Sequence, residues 1–147
     1  MNFQTFNDAV LQWAASKNIT NPETQLLKFF EEKGEFARAL LDKDEKAIQD
    51  ELGDLFVVGC IYFWQRKVEP VFNPYLTITI KREMVGRRLV TLDKQFLEVD
   101  GFYFDTLLEF NHAFNFDLSE TLGRVLTKIS EREGQTIDGC FFKRDKN

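Results

Sequence analysis

Residues 21–66, NPETQLLKFFEEKGEFARALLDKDEKAIQDELGDLFVVGCIYFWQR, decide the fold. Asn21 is a helix-capping residue type, Pro22 suits a first helical position, and Glu23 favours the positive end of the helix dipole. They predict a helix running to about Leu41, a charged turn Asp42-Lys43-Asp44, and a further helix ending near Arg66. Leu55 to Trp64 is apolar all round. Such a helix must be enclosed by other helices or by a second subunit, because a helix lying on a surface needs only one apolar stripe.

Working outward, Phe3, Phe6, Val10, Trp13 and Ala14 recur at steps of three and four and predict a first helix ending near Lys17. Pro70 and Pro74 mark a loop. Residues 76–80 alternate as a strand would, but Val85, Leu89, Leu92 and Phe96 keep helical period, so a helix is expected from about Tyr75 to Leu97. Gly101 breaks the pattern, and Phe104 to Phe114 reads as a short helix. Leu118, Leu122, Val125, Leu126 and Ile129 give a last amphipathic helix ending near Gly134, and Thr136 to Phe142 has the order of a small β-hairpin. No repeat or linker divides the chain, which reads as one all-α helical-bundle domain over residues 1–147 with a short C-terminal hairpin.

The 147 residues are 44% apolar, with sixteen Phe to fill a core and only three Pro and eight Gly, which suits long helices. A net charge of −5 repels nucleic acid. Two cysteines, Cys60 and Cys140, are too few for a disulfide framework, and with the lone His112 they make no standard zinc site. The opening MNFQTFNDAVLQW lacks a signal-peptide pattern and no apolar run is long enough to cross a bilayer, so a cytoplasmic protein that engages neither membrane nor nucleic acid is expected.

The residues that carry chemistry are acidic. Glu31-Glu32-Lys33-Gly34-Glu35 lies in the second helix and Glu51-Leu52-Gly53-Asp54 in the third, with fifteen residues, Phe36 to Asp50, between them. Glu32 with Glu35 and Glu51 with Asp54 are i, i+3 pairs, each directed to one side of its helix. Two antiparallel helices can oppose the pairs, and four converging carboxylates call for a hard cation such as Mg²⁺, with Mn²⁺ as a substitute. Solvated helix faces are the alternative. Glu31, Glu32 and Glu35 fall opposite the stripe of Leu26, Phe30, Ala37 and Leu41, which favours solvation, whereas Glu51 and Asp54 share faces with Leu55, Val58, Ile61 and Tyr62, which favours burial. Spacing alone leaves both readings open. Lys128 and Arg132, at i, i+4, and Lys143 after the hairpin are the cations placed to meet phosphate oxygens or simply to solubilise the surface. There is no Walker-type or dinucleotide glycine loop and no nucleophile paired with His112. Trp13 and Trp64 are core candidates, of which one could line a nucleobase pocket.

The acidic stretches, with Trp13-Ala14, Gln25 and Lys28 upstream and Lys128 to Gly134 and Gly139 to Lys143 downstream, resemble the MazG-like all-α nucleoside triphosphate pyrophosphohydrolases, whose signature is EExxE, a spacer, then ExxD. The likeness is close over residues 6–66 and fair over 118–143, while 67–117 departs from the minimal pattern as an elaborated middle segment. The resemblance implies a helical bundle, a homodimer or dimer of dimers, and hydrolysis of a (deoxy)nucleoside triphosphate to monophosphate and pyrophosphate, in nucleotide house-cleaning or control of the deoxynucleotide pool. It implies Glu32, Glu35, Glu51 and Asp54 as Mg²⁺ ligands and Glu31 as the catalytic base or an outer ligand. It also implies Lys28, Lys128, Arg132, Lys143 and Gln25 as substrate contacts. Two other readings remain: a catalytically inactive helical interaction module, and a pyrophosphohydrolase acting on another substrate such as phosphoribosyl-ATP.

Overall fold

The computed structural model describes residues 1–73, 75 and 79–144. Among them the elements are α1 (Phe3–Ser16), α2 (Pro22–Asp42), α3 (Glu45–Gln65), a 3₁₀ turn (Arg82–Met84), α4 (Val85–Leu97), α5 (Phe102–Ala113), α6 (Leu118–Ser130) and an antiparallel hairpin of β1 (Gly134–Ile137) and β2 (Cys140–Lys143). The all-α class and the terminal hairpin are as expected.

Local chemistry sets the boundaries. Asn2, Asn21, Asp44 and Asp117 cap α1, α2, α3 and α6 through side-chain oxygens that accept backbone N–H groups. Lys43 takes a left-handed conformation (φ 54°) and closes α2 just before the Asp44 cap, so α2 and α3 fold back on each other as a helical hairpin. Two expectations are corrected. Thr79, Ile80 and Lys81 are not helical, and helical structure before α4 begins only at Arg82; the earlier part of that predicted helix, residues 76–78, lies outside the described residues. The last helix ends at Ser130, and Gly134 instead opens β1, paired with Lys143.

α3 is the axis of the molecule, packed by α1, α2, α5 and α6, and every residue from Leu52 to Phe63 is buried. The enclosure that its apolar second half demands thus comes from the same chain, and the expectation of an oligomer rests on the resemblance alone. The middle segment supplies much of this cover. Phe96 of α4 stacks between Phe29 of α2 (4.0 Å) and Tyr62 of α3 (4.4 Å), and Tyr103 of α5 donates its hydroxyl to the Leu55 carbonyl (2.7 Å). Gly59 permits that approach, since a Cβ there would lie 2.3 Å from the Tyr103 ring. No helix among the described residues is long and apolar enough to cross a membrane.

Candidate metal and phosphate site

The buried row of α2 is Gln25, Phe29, Glu32, Phe36 and Ala39, not the stripe expected from the helical wheel. Leu41 is 75% and Phe30 41% exposed, whereas Glu32 is 9% exposed. The reason is tertiary: Phe29 and Phe36 find ring partners in Phe96 of α4 and Phe110 of α5, and this rotates Glu32 inward. On α3, Asp54 is 6% exposed and Glu51 half-buried, as sharing a face with Leu55 and Val58 requires.

One ligand oxygen from each of Glu32, Glu35, Glu51 and Asp54 lies within 4.8 Å of the others. Burial, then the neighbouring carboxylates, pushes Glu32 up to about 8, with Arg132 opposing. Glu51 is likewise pushed up to about 8 by burial, Asp54 and Glu35, with Lys128 opposing. Glu32 Oε2 and Glu51 Oε2 are buried and accept no hydrogen bond among the described residues. Orphaned carboxyl oxygens clustered with two further acidic groups fit a hard divalent cation, which takes oxygen ligands and would replace the protons that otherwise relieve the repulsion.

α6 brings the cations. Lys128 Nζ donates to Asp54 Oδ2 at 2.7 Å and an Arg132 guanidinium nitrogen to Oδ1 at 3.3 Å. Three features seat α6 against α3. Val125 fits over Gly53, where a Cβ would come within 2.7 Å of the valine Cβ. Arg124 donates through two nitrogens to Asp50 (2.7 and 3.0 Å). Gln49 donates to Thr121 (3.0 Å), whose hydroxyl donates to Asn111 of α5 (2.8 Å), a buried polar chain tying three helices together. Apart from Val125, which lies on the apolar face predicted for the last helix, these seating residues carry no motif of their own and were missed in the sequence; the small Gly53 inside the acidic stretch is the signal of a close helix approach.

A cleft opens beside the cluster, bordered by Glu32 and Asp54 and also by Gln25, Lys28, Arg132 and Lys143. Nearly all the residues named from the sequence therefore share one place. Glu31 does not join the four carboxylates: it is exposed and paired with Lys28 at 3.6 Å.

The family model of the MazG nucleotide pyrophosphohydrolase domain matches residues 20–71. That stretch, about a third of the chain, is similar to the MazG domain. The match spans α2, α3 and all five acidic positions of this MazG-like segment, and it leaves α6 and the hairpin outside. No curated protein and no solved structure matches the chain.

Proposed function

We propose that this protein hydrolyses a nucleoside triphosphate to the monophosphate and pyrophosphate, with Mg²⁺ held by Glu32, Glu35, Glu51 and Asp54. The observation that carries the reading is the clustering of four carboxylates with two buried, unpartnered oxygens. Without a metal the repulsion is relieved only by retained protons and by the pairing of Asp54 with Lys128 and Arg132, which leaves the two buried oxygens unpartnered. Bound there, Mg²⁺ supplies Lewis-acid polarisation of a phosphoryl oxygen and acidification of a coordinated water.

The chain's own residues have separable tasks. Lys28, Arg132 and Lys143 border the same cleft and suit the oxygens of a polyphosphate, Arg132 as a planar fork and the lysines as point charges. Lys128, joined to Asp54 in the metal-free chain, becomes available to phosphate once another cation takes over that carboxylate. Glu31 lies one residue from Glu32, is left outside the cluster and pairs with Lys28, which borders the cleft, and this suits a base acting through an intervening water. Water adds to phosphorus, the bond between the α and β phosphates breaks, and the cationic groups stabilise charge developing on the departing pyrophosphate.

The test is a panel of nucleoside triphosphates incubated with Mg²⁺, with Mn²⁺ and with excess chelator. Equal amounts of pyrophosphate and monophosphate, released only with metal, are expected. Silence across the panel from folded protein overturns the reading.

A further inference from the structure

The same cleft has a second chemistry that neither the acidic motifs nor the family match explains. Away from the carboxylates it is walled by Trp13 of α1, Ile19, Val57 and Ile61, and by Cys140 and Phe141 of β2. We infer that this aromatic and aliphatic end is the nucleobase subsite, and that the C-terminal hairpin is the element that selects the base. The inference rests on the triphosphate reading above and names what that substrate's ring would touch.

The first support is the effort with which the hairpin is fixed. Its Asp138-Gly139 turn has both residues at positive φ (52° and 79°), the geometry of a two-residue hairpin that matches strand twist. The Gly139 carbonyl accepts from the backbone N–H groups of both Thr20 (3.0 Å) and Asn21 (3.1 Å), and Asn21 Nδ2 donates to the Asp138 carbonyl (3.3 Å). Thr136 donates its hydroxyl to the Lys17 carbonyl. A Cβ at Gly139 would lie 2.7 Å from Thr20 Oγ1 and 2.9 Å from Asn21 N, so only glycine permits this contact. The tip is thus clamped to the loop between α1 and α2, and β2 is carried to the cleft with Phe141 edge-on to Trp13 at 5.3 Å and 74°.

The second support is unmet hydrogen bonding in that wall. Trp13 Nε1–H is buried and has no acceptor among the described residues. Gln25 is 7% exposed, borders the cleft, and its amide makes no side-chain hydrogen bond among them. A buried donor such as the Trp13 N–H is rarely left unpaired, and the Gln25 amide is a free donor and acceptor at the cleft. A flat heteroaromatic ring carrying carbonyl and N–H groups on its edge answers both the apolar walls and the unpaired polar groups. Because the carboxylates and lysines border the same cleft, one nucleotide can present its phosphates to them and its ring to the hairpin.

Inorganic tripolyphosphate, which has the phosphates and no ring, separates the two ends. In a Trp64→Phe chain, Trp13 is the single indole, since the protein has two tryptophans. Titration with a non-hydrolysable α,β-imido nucleoside triphosphate in Mg²⁺ is expected to change Trp13 emission. Tripolyphosphate is expected to bind by calorimetry and leave that emission unchanged. Phe141→Leu, which keeps an apolar side chain, is expected to weaken the nucleotide about tenfold and tripolyphosphate less than about twofold. Gly139→Ala, which dislodges the clamp without touching the wall, should give the same split. Equal weakening of both probes, or an emission change produced equally by both, overturns the hairpin assignment while the triphosphate reading stands. Failure of both probes to bind the unaltered chain in Mg²⁺ overturns that reading and the assignment with it.

Discussion

Lys128 Nζ sits 2.7 Å from Asp54 Oδ2, bringing a cation of the last helix onto a carboxylate of the central one. Arg132, one turn further along α6, approaches the other oxygen of the same carboxylate at 3.3 Å. Asp54 is 6% exposed, and these two side chains supply it with the positive charge that, on the proposed reading, a divalent cation would otherwise bring. On the proposed reading, the groups that would meet phosphate are held in reserve on a carboxylate that would bind metal, which predicts coupling of the two events through Asp54.

Lys128→Met should act in opposite directions on stability and on metal affinity. Lys128 is 41% exposed and Arg132 remains, so the metal-free protein is expected to lose only about 1 kcal/mol. Removing a cation beside the cluster lowers the repulsion that an incoming Mg²⁺ meets, so affinity should rise several-fold. Thermal unfolding in chelator and calorimetric titration with Mg²⁺ read the two effects separately. A variant that binds Mg²⁺ more weakly than the parent would show that Lys128 does not compete with the metal.

Glu32→Gln tests whether the buried carboxylate is there for the metal or for the fold. Glutamine keeps the volume and cannot ionise, so nothing is lost from packing around Phe29 and Phe36. The metal-free variant should match the parent below about pH 4.5 and become progressively more stable than it as pH rises toward about 8, because over that interval only the unfolded parent has released this proton. Metal-dependent turnover should fall by about 100-fold or more. Loss of stability equal to loss of activity, measured by circular dichroism melts beside pyrophosphate release, would assign Glu32 to the fold instead.

The metal-free protein should grow less stable as pH rises. Glu32 and Glu51 are raised from 4.5 to about 8 by burial and by one another's neighbours, Asp54 and Glu35 above all, against the opposing charges of Arg132 and Lys128. Between those values the folded chain holds protons that the unfolded chain has released. Their contribution is fully present below about 4.5 and is lost as pH climbs through about 8. In chelator the Tm should therefore fall from about pH 5 to about pH 8.5, and saturating Mg²⁺ should flatten the fall, because the metal replaces those protons. A Tm that instead rises over this interval in both Glu32→Gln and parent would place the dominant titration elsewhere.

How far the letters foretold this arrangement differs between the two acidic helices. On α3 the apolar run leaves no solvent face, so Asp54, four and seven residues from Val58 and Ile61, could only be buried. On α2 the adjacent Phe29 and Phe30 offer two competing stripes, and local periodicity chose the one containing Phe30 and Leu41. The choice is made by Phe96 and Phe110, which lie far along the chain in the segment that departs from the MazG pattern. The hairpin was legible because Asp138-Gly139 is a strong turn signal. Its place against the cleft was not, since that depends on the Gly139 carbonyl meeting Thr20 and Asn21 more than a hundred residues away.

Two glycines inside the acidic stretches should respond oppositely to alanine. Gly34 is exposed on α2 with nothing within 4 Å of an added Cβ, so Gly34→Ala should stabilise the helix by about 0.5–1 kcal/mol and leave activity unchanged. At Gly53 an added Cβ would lie 2.7 Å from the Val125 Cβ and 3.1 and 3.2 Å from its two methyls. Valine is stiff about its first torsion and α6 is tied down by Arg124 and Thr121, so α6 itself must move outward. Gly53→Ala should therefore cost about 1–3 kcal/mol and also draw Lys128 and Arg132 away from Asp54. If α6 is what presents these cations, the variant loses tripolyphosphate affinity in Mg²⁺ beyond what its lower Tm explains, and Val125→Ala in the same chain restores it. Lost stability with unaltered tripolyphosphate affinity would mean that the position of α6 does not govern phosphate binding.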